Sequence, residues 1–297
     1  MMVIIGIVVV LGAVVGGYLM EHGNLLVLLQ PAELLIIGVA AIGTLLIANP
    51  IHILKKIAAG VAGVLKGTQF TPQRYLESMK MMYEVFNRAR RDGLMVLEKD
   101  VDEPAKSPIF SKYRGFLQDR HVRDFVCDTL RMAITGGVEP LDVDQMMELD
   151  MDVHHHETSR PVAALSSMAD SLPGLGIVAA VLGVVITMGA LGGPPEEIGR
   201  KVAAALVGTF LGILLCYGFI GPVAANMSKS ADDEQAFYHF LRVLIIAFIK
   251  GTAPLLTVEV GRRAIPGHLR PTFQEVEKSC RSSAAAAKAA APPAAAA

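Results

Sequence analysis

The sequence has no tryptophan and only three cysteines, Cys127, Cys216 and Cys280, in 297 residues. Three scattered thiols cannot build a disulfide framework, so they read as unpaired structural residues. Neither sign of charge is in excess, with 27 Lys plus Arg against 28 Asp plus Glu. That balance removes the overall pull toward nucleic acid. The GxxxxGK[ST] loop that cradles nucleotide phosphates is missing, and so is the HExxH zinc pattern. The run His154 to Glu157 reads HHHE, but consecutive helical residues point in different directions and do not converge on one ion, so it reads as a solvated helix face. "SRPVAALSS" holds a serine pair with no base nearby. These absences leave no expected catalytic residue, cofactor or metal, and the chain reads as a non-enzyme.

The most informative absence is charge within long apolar blocks. Val3–Met20, Leu34–Leu54, Leu172–Pro195 and Val202–Ser228 contain no Asp, Glu, Lys or Arg. A helix needs about 20 apolar residues to cross a bilayer. The expected fold is therefore all-α, a polytopic membrane protein with four transmembrane helices. No Lys or Arg precedes the first block, so it reads as a retained helix rather than a signal peptide. The stretch 21–33 holds no basic residue, and the link between the third and fourth blocks has only Arg200 and Lys201. By contrast, Lys55 to Arg160 holds 16 and Lys229 to Lys288 holds 9. Positive residues favour the cytoplasmic side. Both termini and the long loop are accordingly expected in the cytoplasm.

The patterning divides the chain into membrane helices over 1–54 and 169–228, a helical loop domain over 55–168 and a helical C-terminal segment over 229–281. In the loop, Thr71 and Pro72 predict a helix start, Tyr75, Met79, Met82, Tyr83 and Phe86 follow at helical spacing, and Gly93 offers a stop. A second amphipathic helix is expected over Phe116 to Ala133, and a third from near Leu141 feeds the membrane at Pro173. "FYHFLRVLIIAFIKG" is interrupted by Arg242, which predicts a helix packed on the loop domain instead of a fifth span. The alanine-rich 282–297 is expected to be disordered.

Small residues mark helix contacts in lipid. Such stripes are Ala204, Gly208 and Gly212; Gly176, Ala179, Ala180, Gly183 and Thr187; and Gly12 with Gly16. Ion pathways generally show an ionisable residue inside the membrane. With none inside the four blocks, if the chain conducts ions the exchangeable site must be supplied by a partner helix. This chain would contribute the Thr187 and Thr209 hydroxyls and the hinges at Pro173 and Pro222, expected at matching depth on neighbouring helices.

"DSLPGLGIVAAVLGVV", "LVGTFLGILLCYGFIGPVA" and "RARRDGLMVLEKD" together resemble the MotA family of bacterial flagellar-motor stator subunits. The resemblance covers nearly the whole chain apart from the alanine tail. It implies a homo-oligomeric ring, a pentamer, in the bacterial inner membrane around a MotB-like single-span partner whose Asp binds the proton. It also implies a cytoplasmic contact with a FliG-like rotor protein. Pro173, Pro222 and Thr209 then match the ion-pathway and hinge positions, and Arg90 and Glu98 the rotor-contact pair. Arg88 and Arg91 would add redundancy to that positive patch. Sodium-driven relatives tend to carry threonine where this chain has Ala180, so proton coupling is expected. The alternative is a MotA-like energiser of another proton-driven machine, such as an outer-membrane transport system.

Overall fold

The computed structural model describes residues 2–189 and 191–289. Among these the chain is built from helices α1 (Met2–Met20), α2 (Leu25–Leu28), α3 (Pro31–Ala48), α4 (Ile51–Lys66), α5 (Pro72–Asp92), α6 (Glu98–Asp102), α7 (Arg114–Gln118), α8 (Arg120–Thr135), α9 (Pro140–Met188), α10 (Pro195–Leu214), α11 (Gly221–Ile249), α12 (Pro254–Ala264) and α13 (Phe273–Ala289). A π-helical turn, Leu215–Ile220, joins α10 to α11. Four helical stretches are long and apolar enough to cross a membrane: Met2–Met20, Leu25–Ala48, and parts of Pro140–Met188 and Pro195–Ile249. The all-α, four-span expectation holds.

Two compact units result, one from residues 1–68 and 156–231 and the other from 69–155 and 232–297. Helices α9 and α11 contribute to both.

The second unit owes its core to the predicted periodicity. Thr71 caps α5 by accepting the Arg74 N–H at 3.3 Å, and Gly93 ends the helix with φ 85°. Tyr75, Met79, Met82 and Phe86 are fully buried against Phe237, Phe240, Leu241 and Leu244 of α11. Tyr75 meets Phe237 and Phe240 edge-on at 5.1 and 5.2 Å, and Phe86 stacks on Phe248 at 4.2 Å. Each such side chain contributes roughly 1.5–3 kcal/mol on burial. The "FYHFLRVLIIAFIKG" segment thus packs on the loop elements as expected, with Arg242 bonded to Asp144 and Glu148 at the surface. The predicted second helix is instead two, because Asp119 breaks it and caps α8 through the Val122 N–H. His154 is not on a freely solvated face: its Nε2 lies 3.1 Å from Glu234, and its ring packs against His121 and Tyr238. Burial pushes the Cys127 and Cys280 thiols up to about 12, consistent with inert structural cysteines.

Two boundaries differ from the sequence reading. The second apolar block ends at Ala48, since Pro50 forces Asn49 into extended backbone and a separate helix, α4, starts at Ile51. At the other end, α13 enters the alanine-rich segment and runs to Ala289, as alanine's high helix propensity favours. The rest of that expected disordered segment lies outside the described residues.

Candidate functional site

The first unit is organised around α9 and α10, which run antiparallel with almost no side chain between them. A Cβ placed on Gly176 would lie 2.8 Å from the Gly208 carbonyl oxygen and 3.1 Å from Gly212 Cα. One on Gly212 would lie 2.6 Å from the Leu172 carbonyl oxygen, and one on Gly183 would lie 2.7 Å from Ala205 Cβ. The stripes read as contact faces in α9 and α10 therefore meet each other. In α1, by contrast, a Cβ placed on Gly12 or Gly16 would meet nothing within 4 Å beyond its own helix backbone. Lipid tails solvate apolar side chains as well as protein does, so this close backbone approach is what holds the pair.

The same contacts fix the register. Pro173 is level with Gly212, while Pro222 lies ten residues farther along the second chain segment, roughly 15 Å at 1.5 Å per residue. The two prolines are not at matching depth. The proline of α9 nearest in level to Pro222 is Pro161, because Val162 and Leu165 pack in one cluster with Val223 and Ala224. Only helix packing reveals that register, which is why spacing along the chain missed Pro161.

Neither Pro173 nor Pro222 interrupts its helix. Pro173 sits inside α9 and removes the N–H that would bond the Ala169 carbonyl. Pro222 follows the π-helical turn, where the Gly221 N–H donates to the Cys216 carbonyl five residues back. A proline ring would crowd the Gly218 carbonyl in a regular α-helix, and the widened turn relieves that crowding. Pro222 is exposed, whereas Leu172, next to Pro173, packs with Leu215, Cys216 and Ile220 of the turn.

Thr209 lies beside Gly176 at the α9–α10 contact, and Ala180 is half-buried across from Gly208. Thr187 is buried, and its hydroxyl donates to the Gly183 carbonyl of its own helix at 2.8 Å, so its proton is already committed. One residue escaped the reading of charge-free spans. Glu33, just ahead of the second apolar block, belongs to the first turn of α3 and to the Leu25–Ala48 span, and it is 7% exposed. The mere adjacency of Glu33 to an apolar run was its only sequence signal.

In the second unit the arginine trio separates. Arg88 donates to the Asp100 carboxylate at 2.8 Å, where Asp100 is only 5% exposed in its side chain. Arg91 lies 3.6 Å from Asp92. Arg90 and Glu98 are exposed and form no ion pair among the described residues. Arg88 therefore holds α5 to α6, and the expected redundancy of the positive patch reduces to Arg90 and Arg91.

The fold and the paired spans define a class: an all-helical membrane subunit with a four-span membrane part and a separate helical unit. The profile described as Motility protein A N-terminal matches residues 4–93, and that of the MotA/TolQ/ExbB proton channel family matches 117–238. Motility protein A of Escherichia coli (strain K12) is 36% identical over 282 residues, covering 95% of this chain and 96% of that protein. The Salmonella typhimurium protein of that name is 35% identical with the same coverage, and chemotaxis protein LafT of Vibrio parahaemolyticus is 35% identical over 92% of this chain and 96% of its own. The chain belongs to the motility protein A family. Its fold is shared with the structure of C. jejuni MotAB, at TM-score 0.74 and 18% identity over 89% of this chain and 95% of that one. The flagellar MotAB stator complex from Bacillus subtilis gives 0.71 at 22% identity, over 93% and 98%.

Proposed function

We propose that this chain is a proton-channel stator subunit of the bacterial flagellar motor, acting in the inner membrane with a MotB-like single-span partner. The observation that carries the reading is family membership across 95% of the chain, joined to a helix pair packed backbone to backbone in a four-span membrane part. A match to the motility-specific profile over 4–93 favours this reading over an energiser of outer-membrane transport.

In this reading the termini and the loop are cytoplasmic, which the distribution of basic residues favours. The partner's carboxylate carries the proton past α9 and α10 in a homo-oligomeric ring, a pentamer. Each charge crossing the potential releases about 2.3 kcal/mol per 100 mV, several times thermal energy and enough to bias a hinge. The hinges are Pro173 and the π-turn with Pro222, and Thr209 adds a hydroxyl near the pair. At Ala180 a methyl group offers no ligand to replace sodium's hydration shell, which fits proton coupling. Swimming of cells dependent on this chain should persist when sodium is replaced by potassium and stop with a protonophore. Strict dependence on sodium would overturn the ion assignment.

Rotor contact falls to Arg90, Glu98 and Arg91. Exposed charges add little stability but steer and register a partner. Arg90→Glu is expected to impair swimming at normal protein level, whereas Arg88→Ala, which strands the buried Asp100 carboxylate, is expected to lower the amount of folded protein. Swimming rates beside membrane immunoblots check the split; equal protein loss in both variants would refute it.

A further inference from the structure

Among the described residues, Glu33 is the buried acidic side chain of the first unit, and its buried Oε2 makes no hydrogen bond. The carboxyl enters a notch made by small residues: a Cβ on Gly208 would stand 2.7 Å from Oε2, 3.2 Å from Ala179 Cβ and 3.2 Å from the Ala180 nitrogen. The glycine at 208 is thus what leaves room for the carboxyl.

Depth matters as much as burial. Glu33 stands in the first turn of α3, fifteen residues before Ala48 at the other end, roughly 22 Å at 1.5 Å per residue, so within a hydrocarbon core about 30 Å thick it lies toward the Pro31 end of the span. No ionisable Asp, Glu, Lys, Arg or His faces it from α1, α2, the rest of α3, residues 171–189 of α9 or residues 202–214 of α10. A side chain kept only for packing would be apolar there, because an unpaired buried carboxylate is costly and a neutral carboxyl still lacks an acceptor or donor for its full set of bonds. An intramembrane ionisable group without a partner is by default a functional one.

We propose that Glu33 is a proton-binding site contributed by this chain itself, taking up a proton on Oε2 from water and releasing it to the next acceptor along the α9–α10 pair. On uptake the Oε2–H bond forms as an O–H bond of a hydronium ion breaks and leaves water, and on release the Oε2–H bond breaks as an O–H bond forms on a water molecule of the route. The small residues Ala179, Ala180 and Gly208 let the carboxyl, or a water beside it, reach the helix-pair surface. This site rests on the proton-conducting reading above and adds to the partner's carboxylate a second station on the route.

The test uses the full chain with its single-span partner in lipid vesicles, as wild type, Glu33→Gln and Glu33→Asp. Infrared difference spectra across a pH ramp should show a titrating protonated-carboxyl stretch that shifts in D2O and disappears in Glu33→Gln. Proton flux should fall about 100-fold or more in Glu33→Gln with loss of one limb of the pH profile, and Glu33→Asp should recover part of it. Wild-type flux and pH profile in Glu33→Gln would overturn the proposal. Should Glu33→Gln fail to assemble, the wild-type and Glu33→Asp spectra decide, since absence of a titrating carboxyl that moves between them refutes the site. Absence of flux in wild type would overturn the conducting reading instead, with the infrared band still judging Glu33 separately.

Discussion

Cells whose only stator subunit carries Gly212→Val are expected not to swim, and Gly212→Ala is expected to leave them swimming at a small fraction of the wild-type rate. The first atom of any side chain at 212 falls 2.6 Å from the Leu172 carbonyl oxygen and 3.0 Å from Gly176 Cα. Both obstacles are backbone, so neither can rotate away. Relief requires α9 and α10 to separate, and overpacking of this kind costs about 1–3 kcal/mol in a well-packed interior. The damage lands one residue from Pro173, at the level where Leu172 packs on the π-turn. If Pro173 acts as the hinge proposed above, a helix pair wedged apart there cannot return to one arrangement. Gly63→Ala is the matched control: it is helical, and nothing lies within 4 Å of its added Cβ. Swimming rate and membrane level measured together check the expectation. Normal swimming with Gly212→Val would show that the close approach is dispensable.

What the sequence disclosed follows from how each feature is encoded. The four spans were legible because charge is excluded over nearly whole helix lengths, a signal that accumulates with every residue. The α5 core face was legible because Tyr75, Met79, Met82 and Phe86 repeat at helical spacing. Features set by packing between distant segments were hidden. The partner of Arg88 is Asp100, twelve residues away across a turn, so three neighbouring arginines looked alike. The level of Pro161 with Pro222 depends on how α9 and α11 sit side by side, which no spacing encodes. Glu33 lay one residue outside an apolar block, and only the start of α3 at Pro31 brings it into the span. The π-turn is equally silent in sequence, since glycines 218 and 221 beside Pro222 are common in membrane helices anyway.

The second large effect is a dependence on company. Apart from Glu33, the described apolar spans offer hydroxyls, carbonyls and glycines but no chain of ionisable groups from one side to the other. One carboxyl in the first turn of α3 can hold a proton without carrying it across. The large apolar face of α9, including Ile177, Val181, Val184 and Val185, is exposed in the single chain and suits a neighbouring helix. The decisive measurement is therefore proton flux into vesicles that hold this chain alone or with its single-span partner, driven by an imposed potential. The account predicts flux only with the partner, abolished when the partner's membrane carboxylate is replaced by an amide. Equal flux through the chain by itself would contradict it.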